Sequence, residues 1–240
     1  MKCVSLQPNY LNEQLQMIMA NHSEINRHIL HQCIDKNADG IIKRRKEYSP
    51  EIDFVFAVSG AAALGKTTFC KNLAKFLNDN GIKTKHLPLD GFMLDRKTRL
   101  DRKLSGYDPQ STNIPLLIET MKALLFNGRK IKLPLYDHKT GTHSGFKPIS
   151  PCRVIILDGI MSLHYEIREL FTNFNIFFYA NDLVMRGLRL LVDLKERSYS
   201  VFEALAHSDE EFASYNKWIY HQISFANIRI SVGPERDLSI

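Results

Sequence analysis

The chain has 240 residues, a formal net charge of +6 and a hydrophobic fraction of 44%. This length is enough for one large α/β domain with an ample core, and the composition excludes a fibrous, low-complexity or disordered protein. The sequence contains no apolar run near the ~18 residues that suggest a transmembrane helix.

Charge and cysteine usage indicate the partners and the compartment. The basic balance suits an enzyme that handles polyanionic nucleotides, and basic residues do not alternate with aromatic ones as they do in single-strand binders. We therefore expect no nucleic-acid partner and no membrane partner. The amino terminus lacks the apolar centre of a signal peptide, and the cysteines form no C-x-x-C pair. We expect a cytoplasmic protein with reduced thiols.

The first predicted element is a helix over residues 11–33, where an imperfect apolar stripe recurs at helical spacing. Residues 35–42 match the first half of an EF-hand calcium loop, but position twelve of that loop is Lys46 instead of Glu. A turn is the favoured interpretation, and calcium binding is the alternative. The basic run at residues 43–46 is typical of a solvated linker. We expect an amino-terminal helix and linker over residues 1–50 and the main domain over residues 51–240.

The main domain opens on a strand, a glycine-rich loop and a helix. Residues 54–58 form an apolar run typical of a buried strand, and apolar residues at helical spacing over residues 69–77 predict a helix that ends at Gly81. The motif G-x-x-x-x-G-K-T lies between them, in the context that a phosphate-binding loop requires. The predicted nucleotide-binding residues are Gly60, Ala61, Ala62, Ala63, Leu64, Gly65, Lys66, Thr67 and Thr68.

The chemistry of this loop predicts its ligands. The glycines let successive backbone N–H groups point at phosphate oxygens, and the helix that follows directs its positive amino-terminal end at the same anion. Lys66 would reach the β- and γ-phosphates, and the Thr67 hydroxyl would bind Mg²⁺. ATP and magnesium are therefore the expected cofactors.

The rest of the chain alternates predicted strands with predicted helices. Strands are predicted at residues 83–89, 153–159, 175–180 and 224–232, an extended segment at 131–137, and helices at 114–126, 183–196 and 201–220. This alternation is typical of a mainly parallel sheet covered on both faces. We predict a three-layer α/β P-loop NTPase fold with an amino-terminal helical extension.

Two acids follow predicted strands, where open α/β sheets place their sites. Asp158 follows an apolar strand, so it is predicted to bind Mg²⁺, with a helix N-cap as the alternative. Asp90 follows the second strand and is predicted to accept the proton of an attacking hydroxyl, with a turn aspartate before Gly91 as the alternative.

Three arginines lie on or just after one predicted helix: Arg186, Arg189 and Arg197. Cations are needed around a phosphoryl group in transfer, so a basic lid over the nucleotide is one interpretation. The spacing of Arg189 and Asp193 equally favours a solvated helix face with an ion pair. Both interpretations stay open on the sequence alone.

Several motifs in order resemble the uridine kinase, phosphoribulokinase and pantothenate kinase group of P-loop kinases over residues 53–232. After the P-loop come Asp90-Gly91-Phe92, Gly106-Tyr107-Asp108-Pro109, Pro134-Leu135-Tyr136-Asp137-His138, Asp158-Gly159-Ile160, and Arg189 to Arg197. The resemblance implies that residues 51–240 are a P-loop kinase domain. It implies further roles: Asp90 as the catalytic base, Tyr107 and Asp108 against the acceptor sugar, Tyr136 as an acceptor-site aromatic, and Arg189, Asp193 and Arg197 in the lid.

The chain departs from the family pattern mainly on the acceptor side. Met93 replaces a Tyr of uridine kinases, and His143 comes two residues later than the base-recognising His of that family. In the lid, Val192 replaces an Arg, and Ser198-Tyr199 replaces Gly-Arg. The acid before Gly159 is Asp instead of the usual Glu. The nucleotide half of the pattern is intact, so kinase chemistry is better supported than any one acceptor.

The leading hypothesis is an ATP-dependent kinase with Lys66, Asp90, Arg189 and Arg197 as its catalytic residues. The expected acceptor is a nucleoside such as uridine or cytidine, then a sugar, a sugar phosphate or a pantothenate-like alcohol. His138 is a candidate acceptor contact, with a solvated loop position as the alternative. The alternatives are a nucleotide-binding switch, which lacks a complete guanine-reading motif, and a decayed homologue that only binds. A homo-oligomer is left open.

Overall fold

A computed structural model describes residues 47–196 and 200–240. The predicted amino-terminal helix, the half EF-hand match and Arg197 lie outside the described residues. The strands are β1 (Phe54–Gly60), β2 (Thr84–Pro88), β3 (Ile131–Asp137), β4 (Thr142–Ile149), β5 (Val154–Asp158), β6 (Phe174–Tyr179), β7 (Ile228–Val232) and β8 (Leu238–Ser239). The helices are α1 (Lys66–Asp79), α2 (Arg96–Asp101), α3 (Ile114–Leu125), α4 (Tyr165–Phe171), α5 (Asp182–Glu196) and α6 (Val201–Trp218).

The central sheet has the strand order β2-β5-β1-β6-β7-β8, and only the β7–β8 pair is antiparallel. All residues of β1 and β5 are buried because helices cover both faces of the sheet. This explains why both strands read as continuous apolar runs in the sequence. The predicted α/β fold with a mainly parallel sheet flanked by helices is confirmed.

Helix α1 packs its apolar stripe on the sheet. Phe69, Leu73, Phe76 and Leu77 are buried, and they recur at the spacing of one helical face. The chain then turns through Gly81, whose φ of +79° lies in the left-handed region that ends helices. The helix that follows the P-loop motif is therefore the predicted one.

A hairpin of β3 and β4 forms a separate two-stranded antiparallel sheet. The sequence predicted only the β3 half of it. Every residue of β4 except Ile149 is exposed, so this strand has no alternating apolar pattern to read. The short helices α2 and α4 and the strand β8 were also missed.

Two further expectations change. The predicted last strand at residues 224–232 is too long, because Tyr220–Phe225 form a 3₁₀-helix and β7 begins at Ile228. Asp158 caps no helix, since α4 begins only at Tyr165 after His164. Within the described part of the chain, no helix combines the length and the apolar character that crossing a membrane requires.

Candidate active site

The P-loop joins β1 to α1 and owes its shape to the backbone. Gly60 has a φ of +132°, and a Cβ at this position would lie 2.1 Å from the carbonyl O of Phe178 on β6. Ala63 and Gly65 also have positive φ values, of +67° and +81°. The loop is therefore curved by left-handed backbone conformations and rests directly on a neighbouring strand.

Lys66 lies at the start of α1 and is folded onto the loop. Its Nζ donates to the carbonyl O of Ala61 at 2.6 Å, and the side chain is buried. Burial lowers the pKa of Lys66, and the nearby carboxylates of Asp158 and Asp90 oppose that shift. The lysine is thus held between the loop and the two acids that the sequence predicted to be functional.

Thr67 and Asp158 meet at the carboxyl end of β5. The Thr67 hydroxyl donates to Oδ2 of Asp158 at 2.8 Å, and Nε2 of His86 lies 2.9 Å from the same oxygen. A hydroxyl and a carboxylate are oxygen ligands of the kind that magnesium prefers. The pair therefore fits a magnesium site, as expected from the sequence.

One large cavity of about 660 Å³ contains most of the predicted site. Its walls include the loop residues Ala62, Ala63, Gly65, Lys66, Thr67 and Thr68, and also Asp90, Asp158, Tyr107, Tyr136, His138 and Arg189. The structure therefore brings together residues that are far apart in the sequence. We call the P-loop side the donor end and the side lined by Tyr136 and His138 the acceptor end.

Asp90 lies in the 3₁₀ segment Leu89–Phe92, which follows β2. Its Oδ2 is 3.0 Å from Nε2 of His138, which lies in the turn of the β3–β4 hairpin. Arg96 on α2 donates to the carbonyl O of His138 and, at 3.3 Å, to that of Lys139. The hairpin turn is thus held against both the candidate base and α2.

Arg99 and Tyr136 form a second contact at the acceptor end. Arg99 donates to the Tyr136 hydroxyl at 2.9 Å and to the carbonyl O of Leu94 at 3.1 Å. The Tyr136 hydroxyl donates in turn to the carbonyl O of Gly141 at 3.0 Å. Both partners of Arg99 are uncharged, so they orient the guanidinium without neutralising it.

Tyr107 and Asp108 differ in their placement. The Tyr107 hydroxyl accepts from the N–H of Ala62 in the P-loop at 3.0 Å, and its ring packs against Tyr215 at 5.7 Å between centroids. Asp108 is not among the residues that line the cavity; its carboxylate accepts from the N–H of Gln110 at 2.9 Å and caps the 3₁₀ segment Pro109–Ser111. The acceptor-sugar role for these two residues stays a prediction.

Arg189 both forms an ion pair on its helix and faces the cavity, so it fits both interpretations of the lid arginines. It donates to the carboxylate of Asp193 at 2.8 and 2.9 Å and lies 3.2 Å from Glu211 on α6. Burial alone would lower the pKa of Arg189, but Glu211, Tyr107 and Asp193 outweigh it and raise the pKa. Arg189 also lines the cavity, whereas Arg186 instead pairs with Asp209 at 2.6 Å.

Sequence reasoning missed several basic residues of the cavity wall: Lys71, Arg96, Arg99 and Arg236. The first turn after Asp90-Gly91-Phe92 carries the basic run Arg96-Lys97-Thr98-Arg99, which was the available signal for two of them. Arg236 has no such signal, because it reaches the cavity from the loop between β7 and β8 only through the fold.

A family model described as the Phosphoribulokinase / Uridine kinase family matches residues 55–239. The chain belongs to this family. The resemblance inferred from the motifs is thereby confirmed. A uridine kinase from Leuconostoc citreum is 28% identical over 196 residues, which cover 78% of this chain and 90% of that protein. A phosphoribulokinase from Synechocystis sp. is 27% identical over 184 residues, which cover 76% of this chain but only 54% of that protein's length.

Solved structures show the same fold for this member of the phosphoribulokinase and uridine kinase family. The D-glycerate 3-kinase of Cryptococcus neoformans superposes with a TM-score of 0.61 at 15% identity, covering 97% of both chains. The phosphoribulokinase of Rhodobacter spheroides gives a TM-score of 0.58 at 15% identity, covering 75% of this chain and 70% of that one. These low identities establish the fold and leave the acceptor open.

Proposed function

We propose that this protein is an ATP-dependent kinase that transfers the γ-phosphoryl group to a hydroxyl of a small molecule. The observation that carries the proposal is the shared cavity, which Lys66, Thr67 and Asp158 line at the donor end and Asp90 lines with them. A phosphate-binding loop alone would suit a switch or a hydrolase. A carboxylate placed in the same cavity as the loop lysine suits transfer to an acceptor hydroxyl.

Each residue has a role in this mechanism. The P-loop N–H groups would bind the phosphates of ATP, and Lys66 would exchange its contact with Ala61 for phosphate oxygens. Thr67 and Asp158 would hold Mg²⁺, which neutralises charge on the phosphates. Asp90 would accept the proton of the acceptor hydroxyl while His138, 3.0 Å away, orients its carboxylate.

Arg189 would stabilise the equatorial oxygens of the transferred group, because its charged guanidinium belongs to the wall of the shared cavity. Arg197 has the same proposed role on the basis of the family pattern alone. Tyr107 would lie between ATP and the acceptor, since its hydroxyl contacts the P-loop at Ala62 and the residue lines the shared cavity.

Two classes of acceptor have support. A nucleoside such as uridine or cytidine would place its base on the aromatic pair Tyr136–His138, whose ring centroids are 5.2 Å apart. The second candidate is an alcohol that carries a phosphate or a carboxylate. Arg99 favours it, because this guanidinium lines the cavity and is oriented by uncharged partners. Uridine kinase exemplifies the first class among the relatives, and phosphoribulokinase the second.

The variant Asp90→Asn tests the reaction. Loss of a general base is expected to lower kcat by about 10²–10⁴-fold while ATP binding is retained. The matched control is Asp95→Asn, because Asp95 lies in the adjoining segment, contacts His143 at 3.0 Å and is not among the cavity-lining residues. Acceptor-dependent turnover that is unchanged in Asp90→Asn would contradict the assignment.

An acceptor panel tests the substrate class. ATP–Mg²⁺ is incubated with nucleosides, sugars, sugar phosphates, glycerate and pantothenate, and ADP formation is measured for each. Turnover with uridine or cytidine supports the nucleoside class. Turnover restricted to anionic alcohols supports the second class. ATP consumption that ignores every acceptor would overturn the kinase proposal in favour of a hydrolase or switch.

A further inference from the structure

Asp158 has two neighbours that the proposed phosphoryl transfer does not use. The thiol of Cys70, the imidazole of His86 and the carboxylate of Asp158 place one ligand atom each within 4.8 Å of one another. Cys70 follows Thr67 by one turn of α1, His86 lies in the middle of β2, and Asp158 is the last residue of the paired strand β5. All three residues are therefore positioned by regular elements and not by a mobile loop.

This set of donors suits a different cation from the one that kinases use. Magnesium prefers oxygen ligands, whereas sulfur, imidazole nitrogen and carboxylate oxygen together are typical of zinc and its neighbours. Zinc–ligand distances of about 2.0–2.3 Å in a tetrahedron separate the ligand atoms by roughly 3.3–3.8 Å. In the structure His86 Nε2 and Asp158 Oδ2 are 2.9 Å apart, and all three ligand atoms lie within 4.8 Å of one another, which is close to these separations.

The side chains of the cluster are largely enclosed by the protein. Cys70 is 0% exposed, and the side chains of Asp158 and His86 are 3% and 12% exposed. The Asp158 carboxylate attracts a cation more strongly in so dry a position than it would at the surface, and the Cys70 thiol would give up its proton when the metal binds. Of the three residues, only Asp158 lines the large cavity, so a cation would reach the cluster past this carboxylate. Three protein ligands would leave a fourth position of the metal for water.

We infer that Cys70, His86 and Asp158 form a binding site for a thiophilic divalent cation such as Zn²⁺, separate in its ligands from the magnesium site except for the shared Asp158. Thr67 and His86 contact the same oxygen of Asp158, Oδ2, so a cation held with Thr67 and a cation held with His86 would compete for it. Occupation by zinc therefore withdraws Asp158 from Mg²⁺–ATP, and the cluster acts as an inhibitory metal site. The binding part stands alone; the inhibitory part rests on the proposed kinase function.

Cobalt provides a direct readout of binding. Co²⁺ is titrated into the full chain, and the absorption bands of a cobalt–thiolate bond and of tetrahedral cobalt are recorded. We expect both bands to appear in the unaltered protein and to vanish when Zn²⁺ is added, since zinc outcompetes cobalt at such sites. The absence of a thiolate band in the folded protein would overturn the site.

Two variants assign the ligands. Cys70→Ala is expected to abolish the thiolate band, whereas Cys152→Ala keeps it, because Cys152 is a second buried thiol whose Sγ donates to the carbonyl O of Val154. His86→Gln removes a ligand that is less buried than Cys70. Loss of a residue that only hydrogen-bonds to a metal ligand weakens metal binding by about 10–100-fold, so loss of a direct ligand should weaken Co²⁺ binding by more than that. An unchanged band and affinity in Cys70→Ala, or in His86→Gln if the former does not fold, would overturn the assignment.

Inhibition is measured separately from binding. We expect micromolar-range Zn²⁺ to inhibit ATP turnover by the unaltered protein, excess Mg²⁺–ATP to relieve it, and Cys70→Ala to be at least tenfold less sensitive. Equal zinc sensitivity in both proteins would overturn the inhibitory role. A cobalt–thiolate band in a protein that shows no turnover with any acceptor would support the metal site and contradict the proposed function, so the two failures are distinguishable.

Discussion

The donor end and the acceptor end of the cavity are built by different means. At the donor end, consecutive elements β1, the P-loop and α1 fix the backbone, and the key side chains Lys66 and Asp158 are buried. At the acceptor end, α2, the Leu89–Phe92 segment and the β3–β4 hairpin meet through side chains that are partly exposed, such as Asp90 and His138 at 36% and 47%. Most of the residues proposed to bind the donor nucleotide thus come from one contiguous segment, whereas those proposed to select the acceptor meet only through contacts across the chain.

The largest effect is expected from Gly60→Ala, which tests whether the donor end depends on backbone shape. The new Cβ would collide with the carbonyl O of Phe178, and residue 60 would keep a φ of +132° that alanine rarely adopts. Backbone strain and overpacking together should cost about 4 kcal/mol of unfolding free energy. Nucleotide binding should be lost with it. Chemical denaturation and binding of a labelled ATP analogue measure both effects.

Gly65→Ala is the matched control for that variant. A Cβ at Gly65 meets nothing within 4 Å, so only the strain of a φ of +81° remains, about 1 kcal/mol. Equal losses of stability in the two variants would show that contact with β6 does not shape the loop.

A smaller effect is expected from Arg189→Met, which tests a cation in the wall of the cavity that the two ends share. The variant removes the ion pairs of Arg189 with Asp193 and Glu211, and the partial exposure of Arg189 and Glu211 limits the cost to about 2 kcal/mol of unfolding free energy. Turnover should also fall by about 10²-fold through loss of transition-state stabilisation. Thermal unfolding and kcat measurements report the two effects.

Arg186→Met serves as the comparison on the same helix. Arg186 pairs with Asp209, which is 88% exposed, so its loss should change stability by less than about 1 kcal/mol and leave kcat unaltered. If Arg186→Met lowered kcat as much as Arg189→Met, the effect would belong to the helix face in general and not to the cavity.

The smallest effect is expected from Tyr136→Phe, which confines the change to the acceptor end. The variant removes the hydroxyl that accepts from Arg99 and donates to Gly141, worth about 1 kcal/mol. The KM for the acceptor should rise about fivefold, while the KM for ATP stays the same. Tyr165→Phe, at a side chain that is 67% exposed, should change neither constant. A parallel rise in both KM values for Tyr136→Phe would break the distinction between the two ends.

The sequence predicted the donor end well because its signals are contiguous. The strand before the loop, the loop itself and the stripe on α1 lie within one short stretch, and backbone chemistry links them directly. The placement of Asp90 and Asp158 in one cavity could also be predicted, since acids that follow parallel strands meet at one edge of the sheet. Their neighbours His86 and His138 come from other segments, and only the fold reveals those contacts.

The acceptor end was harder to predict for physical reasons. None of the residues of α2 is buried, so this helix has no apolar period, and the exposed β4 has no alternation. Arg99 enters the cavity through the placement of α2, which no local pattern encodes. For Arg189, spacing alone could not separate an ion pair from a cavity residue, because the structure makes it both.

The backbone of Gly91 packs directly against the β3–β4 hairpin. A Cβ there would lie 1.8 Å from the carbonyl O of Pro134, and His143 donates from Nε2 to the carbonyl O of Gly91 at 2.9 Å. The hairpin therefore rests on the backbone beside Asp90 and cannot slide away from it. With Asp90 as the proposed base and Tyr136 as the proposed acceptor contact, this packing would fix the distance between an acceptor's reactive hydroxyl and the group by which it is held. Selection by molecular length would then accompany selection by charge.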